Sequence, residues 1–161
     1  MQSKTKIREG VFETNSSSTH CIVLGISQDL EEFPKEIRFE AGEFGWDYGI
    51  LRTPFKKLSY LYTAILCFGN EEALEKIVSY LTEEGIECVD AEMCDDECGI
   101  NHAGDLEEFV NDMANNKPLL LTYLFGKSFV VTGNDNEEHD IWDVYELYKN
   151  DPNYAAYYKG N

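Results

Sequence analysis

The chain has 161 residues, of which 43% are hydrophobic and 13% aromatic, and it carries a formal net charge of −18. That length suits one domain with a sizeable core, and that apolar content excludes a disordered acidic tail. No run of about 18 apolar residues occurs, which excludes a helical membrane span.

The first half reads as β-rich. Arg8–Thr14 and His20–Ser27 have strand character and are joined by the polar turn Asn15-Ser16-Ser17-Ser18. Glu36–Glu40 alternates and predicts a third strand. A loop from Ala41 to Leu51 places Phe44, Trp46 and Tyr48 on alternate positions. Thr53-Pro54 then reads as an N-cap followed by proline at the first helical position. Phe55, Leu58, Leu61, Tyr62, Ile65 and Leu66 recur at helical spacing up to Gly69. Asn70 caps a second helix over Glu71–Glu84, whose first-turn acids suit the helix dipole, and Gly85 ends it.

Further on, Ile86–Ala91 is a short strand that delivers Cys88. Asp105–Asn115 predicts a helix, and Pro118–Phe125 is an apolar run compatible with helix or strand. Lys127–Thr132 predicts a strand, closed by the Gly133-Asn134-Asp135-Asn136 turn, and Asp140–Lys149 predicts a last helix. Tyr154, Tyr157 and Tyr158 form a tail that either packs back on the core or stays mobile. The whole predicts a single α+β domain over residues 1–161. It comprises an N-terminal β-hairpin or sheet, paired central helices, a metal-knot segment near 86–104 and a Tyr-rich tail near 151–161.

The knot is named for four soft-metal ligands in one window: Cys88, Cys94, Cys98 and His102. Thiolate and imidazole are the donors that tetrahedral Zn2+ prefers, and three Cys with one His close a structural site. Cys94, Cys98 and His102 at i, i+4 and i+8 share one side of a helix. Gly99 and Asn101 favour a loop around the ion equally well. His20 and Cys21 are reserve ligands. Free cysteines or a disulfide remain the alternatives to a metal. The chain has neither the zinc-deaminase pattern nor an H-E-x-x-H helix, so the ion is expected to be structural rather than catalytic.

Other chemistry-bearing residues have plainer readings. The run Ser16 to Cys21 places hydroxyls beside His and Cys, but a hydrogen-bonded turn accounts for it better than a nucleophile does. Cys67 reads as core and His139 as an exposed helix-start residue. Phosphate-loop and dinucleotide motifs are missing, and there is no basic patch, so direct nucleic-acid binding is not expected. Met1 to Gly10 lacks an apolar signal core, and the expected location is cytoplasmic.

Charge is unevenly placed along the chain. Residues 1–82 hold 12 acids and 9 bases, whereas residues 83–151 hold 19 acids and 3 bases. A surface built from the second half repels nucleic acid and attracts a basic protein groove.

The segment Arg8-x3-Phe12-Glu13-Thr14-Asn15-Ser16-Ser17-Ser18-Thr19-His20 resembles one near the start of small phage and mobile-element proteins of Gram-positive hosts. With the length, the acidity and the Cys/His window, the chain resembles phage-encoded anti-CRISPR proteins that inhibit type II-A effector nucleases and carry zinc. The resemblance implies a cytoplasmic, non-enzymatic DNA mimic. Such a protein occupies a basic groove of the host effector and blocks target loading. The acids expected at the contact are Asp90, Glu92, Asp95, Asp96, Glu97, Asp105, Glu107, Glu108, Asp112, Glu137, Glu138, Asp140 and Asp143. Phe44, Trp46 and Tyr48 offer an aromatic anchor if they are exposed. The alternatives are a metal-dependent enzyme on a nucleotide or small substrate, and a phage structural or assembly protein.

Overall fold

The computed structural model describes residues 18–26, 29–45, 48–90, 98–100, 106–134, 148 and 150–160. The strands are β1 (Ser18–Gly25), β2 (Glu36–Phe39), β3 (Glu43–Phe44), β4 (Gly49–Leu51), β5 (Glu87–Asp90), β6 (Gly99–Ile100), β7 (Phe129–Asn134) and β8 (Tyr154–Gly160). The helices among these residues are α1 (Pro54–Phe68), α2 (Glu71–Glu83), α3 (Glu107–Asn115) and α4 (Lys117–Phe125). Strands and helices mix within one α+β domain.

An antiparallel sheet of order β4-β7-β1-β8 forms the centre. Its two faces follow from the two-residue period of a strand. Ile22, Leu24, Leu51 and Val130 face the helices and join the main core with Leu58, Leu61, Ile77, Phe109, Tyr123 and Phe125. Cys21, Val23, Phe129 and Val131 face the other way, where Tyr48, Tyr148 and Tyr154 pack on them. Phe129, Tyr148 and Tyr154 meet edge to face, and Arg52 lies 4.6 Å above the Phe129 ring. The tail is therefore partly a strand: β8 hydrogen-bonds to β1, with a register shift at Ile22/Val23.

Two small parallel pairs flank the helices. β2 runs beside β5, and β3 runs beside β6. Parallel neighbours need a long crossover, and the α1–α2 pair supplies it. Strand β1 pairs with β7 and β8. The proposed first strand of an N-terminal hairpin, Arg8–Thr14, lies outside the described residues.

Local chemistry sets the helix ends. The Thr53 side chain accepts from the Lys56 N–H at 3.2 Å, and Gly69 closes α1 with φ 61°. Asn70 accepts from the Ala73 N–H at 3.0 Å to start α2. Asn116 both ends α3 and caps α4, accepting from the Leu119 N–H at 3.1 Å. Pro118 at the start of α4 resolves the apolar run 118–125 as helix.

The join between α1 and the turn after α4 is polar and buried. The Lys57 ammonium is fully buried and donates to the Gly126 and Ser128 carbonyls at 3.2 and 3.0 Å. Tyr123 donates its hydroxyl to the Lys57 carbonyl at 2.7 Å. Ser128 accepts from the Gly25 N–H and donates to the Thr122 carbonyl. Burial lowers the Lys57 pKa from 10.5 to about 8, with Glu31 pulling weakly the other way.

Several expectations are corrected. β7 continues through Gly133 and Asn134, so the turn expected there does not begin at 133. Cys67 is exposed rather than core: it shares the side of α1 that buries Thr63 and Ala64, but it sits in the helix's last turn, two residues before Gly69. The predicted helix 140–149 and His139 lie outside the described residues, apart from Tyr148, which is helical.

Candidate acidic interface and proposed metal centre

Of the four predicted metal ligands, two fall in the described residues. Cys88 sits on β5 opposite Ile37, half-buried and free. Burial pushes its thiol pKa up; a hydrogen bond with Thr82 works against this, and the nearby Asp90 charge adds to it. Its Sγ lies 3.9 Å from the Ile86 carbonyl oxygen. Cys98, just before β6, is disulfide-bonded. Cys94 and His102 lie outside the described residues. Among the described residues no three His, Cys, Asp or Glu side chains are grouped to hold an ion.

The reserve ligands His20 and Cys21 part company. Successive strand residues point to opposite faces. His20 is fully buried on the helix side, where its Nδ1 shares a 3.1 Å hydrogen bond with the Tyr60 hydroxyl. Cys21 is buried on the other face with Val23, Phe129 and Val131.

Of the acids assigned to the contact face, Asp90, Glu107 and Glu108 are exposed and Asp112 is half-buried. Asp90 ends β5, and the other three occupy α3. Glu92, Asp95, Asp96, Glu97, Asp105, Glu137, Glu138, Asp140 and Asp143 lie outside the described residues. Phe44 is half-buried, 5.4 Å from Tyr60 in an edge-to-face contact, and Tyr48 packs on the second core. Those two rings are packing residues. Trp46 lies outside the described residues.

The structure adds acids that reading the chain by halves left out. In the β2–β5 pair Glu36 stands opposite Glu87, and Glu40 follows the position opposite Asp90. All four are exposed. Glu71, Glu72 and Glu75 add charge on α2, which packs beside α3. The acidity therefore spans both halves of the chain. Acids at both ends of β2 and β5 were visible in the sequence, but their pairing depends on the crossover. Cations offset part of this charge: Arg38 is exposed between Glu36 and Glu40, and Lys35 precedes them. Lys76 pairs with Glu72 at 3.1 Å, and Lys117 with Glu84 at 2.8 Å and Glu83 at 3.8 Å. Surface pairs of this kind add little to stability, because water and salt screen them. The Asp90 charge also helps raise the Tyr62 phenol, after burial as the larger cause.

No family model matches the chain, and neither a curated protein nor a solved structure matches it. No helix among the described residues is long and apolar enough to cross a membrane.

Proposed function

We propose that the protein is a non-enzymatic inhibitor that lays its acidic surface into a basic groove of a type II CRISPR effector nuclease and blocks target DNA loading. The observation that supports this reading is the acidic edge of the parallel pair, with Glu36 beside Glu87 at one end, Glu40 near Asp90 at the other and Arg38 between, together with Glu107 and Glu108 exposed on α3. Effector nucleases of this class hold the guide–target duplex in a positively charged channel. Carboxylates presented there take the place of phosphates, and complementary charge speeds encounter.

In this reading zinc is structural, held by Cys88, Cys94, Cys98 and His102. Cys88 offers a free thiol for it. The Cys98 sulfur is engaged in a disulfide, so loading zinc first requires reduction of that bond. The reduced chain is expected to bind one zinc, and Cys94→Ser or His102→Ala to lose both the ion and thermal stability.

The decisive experiment adds purified protein, in excess, to effector loaded with guide RNA. Target binding and cleavage are then measured at low and moderate salt. Inhibition that weakens as salt rises is expected, because salt screens exposed charges. Unchanged binding and cleavage at both salts would refute the proposal.

A further inference from the structure

An apolar groove beside helix α4 bears on how a partner is gripped. A cavity of about 380 Å³ lies between the segment before β2 and helix α4, lined by Leu30, Lys117, Pro118, Leu121 and Thr122. That volume is at the lower end of the range for ligand pockets. Its walls are fixed from both sides. The Glu31 N–H donates to the Phe125 carbonyl at 2.7 Å, and the Phe33 ring packs tilted against Phe125 with centroids 4.7 Å apart. Leu30 is left 38% exposed between Asp29 and Glu31. Helix α4 carries apolar residues all round, including Pro118 and Leu121 on the groove side, where a surface helix ordinarily carries polar residues.

The rim is anionic. Glu31 and Glu32 are exposed beside Leu30. Among the described residues that line it, the cation is Lys117, held by Glu84 and Glu83 at 2.8 and 3.8 Å. A second copy of this chain, itself at −18, would bring a like-charged rim against this one, and nucleic acid is repelled for the same reason. The complementary occupant is an apolar side chain flanked by basic residues.

We propose that this groove seats a leucine-sized side chain of a basic partner polypeptide, as the buried anchor of the contact. The proposal rests on the reading above only in taking the partner to be a basic protein. The test is titration of the full-length, isotopically labelled protein with two peptides at low salt. One peptide has a leucine between two Lys-Arg pairs; the other has serine in its place. The leucine peptide is expected to bind about tenfold more tightly, the worth of burying one such side chain, and to shift the amide signals of Leu30, Leu121 and Thr122. Leu30→Ser is expected to abolish that preference while keeping the weak binding common to both peptides. Glu31→Gln with Glu32→Gln is expected to weaken both peptides alike. Because Leu30 is partly exposed, its replacement should leave thermal unfolding unchanged, which the same samples check. Equal affinities, a preference that survives Leu30→Ser, or self-association that Leu30→Ser breaks would overturn the proposal. A peptide preference without nuclease inhibition would support the groove and remove only the nuclease. Inhibition without a peptide preference would remove the groove alone.

Discussion

Lys57 is the residue whose chemistry is least expected in so acidic a chain. It is fully buried with carbonyl partners rather than a carboxylate at ion-pair distance among the described residues. Its folded pKa is about 8 against an ordinary 10.5. Below pH 8 both folded and unfolded chains hold the proton, and the fold bears the cost of a buried charge. Between pH 8 and 10.5 the unfolded chain keeps a proton that the folded chain has released, so stability rises with pH. The gain is on the order of 2–3 kcal/mol. Tyr123 opposes it higher up, because burial pushes its ionisation well above 10.0 and the unfolded chain ionises first. The raised Cys88 thiol opposes it too, from about pH 9.0, so denaturant unfolding should show stability climbing from pH 8, levelling above 9 and turning over near 10, and Lys57→Met should lack the climb. Tyr123→Phe removes one buried hydrogen bond to the Lys57 carbonyl and is expected to lower stability by about 1 kcal/mol at pH 7, measured the same way. None of this was legible in the sequence. Lys56 and Lys57 form an ordinary-looking pair at the start of an amphipathic helix, and only the turn after α4 makes one of them a core residue.

At the scale of elements, caps were the most readable feature. Thr53-Pro54, Gly69 and Asn70 do in the fold what their side chains and backbone freedom suggest, because capping acts over three or four residues. Asn116 caps α4 in the same way, and Asn-Lys-Pro is the same kind of signal. The turn that follows α4 is tighter than its sequence suggests. A Cβ on Gly126 would come within 2.6 Å of the Thr122 carbonyl oxygen, a backbone atom that cannot move aside. Gly126→Ala is therefore expected to destabilise by about 1–3 kcal/mol, read as a lower denaturation midpoint with an unchanged slope. Strand pairing was less legible than capping. β2 and β5 were both expected as strands, yet nothing local to either shows that they run parallel, because the α1–α2 crossover decides it. Cys67 continues the buried face of Tyr60, Thr63 and Ala64, but it lies in the last turn of α1, where it is exposed, and a helical period read from the sequence does not show where that cover stops.

At the scale of the whole molecule, the division of charge by chain halves was too simple. Folding places Glu36 and Glu40 beside Glu87 and Asp90, so the acidic edge draws on both halves. The cysteine window was legible as composition only. Which sulfurs meet depends on redox state, and Cys98 already shows a disulfide. If the acidic surface acts as a unit, reversing charges on α3 with Glu107→Lys and Glu108→Lys should weaken inhibition several-fold and flatten its salt dependence, mainly through slower association. Competition binding with guide-loaded effector at two ionic strengths checks this. Gly25 and Ser128 bond across 103 positions, and among the described residues β1 is flanked by β7 and β8. At translation rates of about 5–20 residues per second, the stretch Cys21–Leu24 emerges from the ribosome roughly 5–20 s before β7 does. During that interval β1 is without the ladder that β7 supplies, and an unpaired strand edge is what chaperones and proteases recognise. A newly synthesised chain therefore has a built-in delay before it can act, set by the wiring of its central sheet.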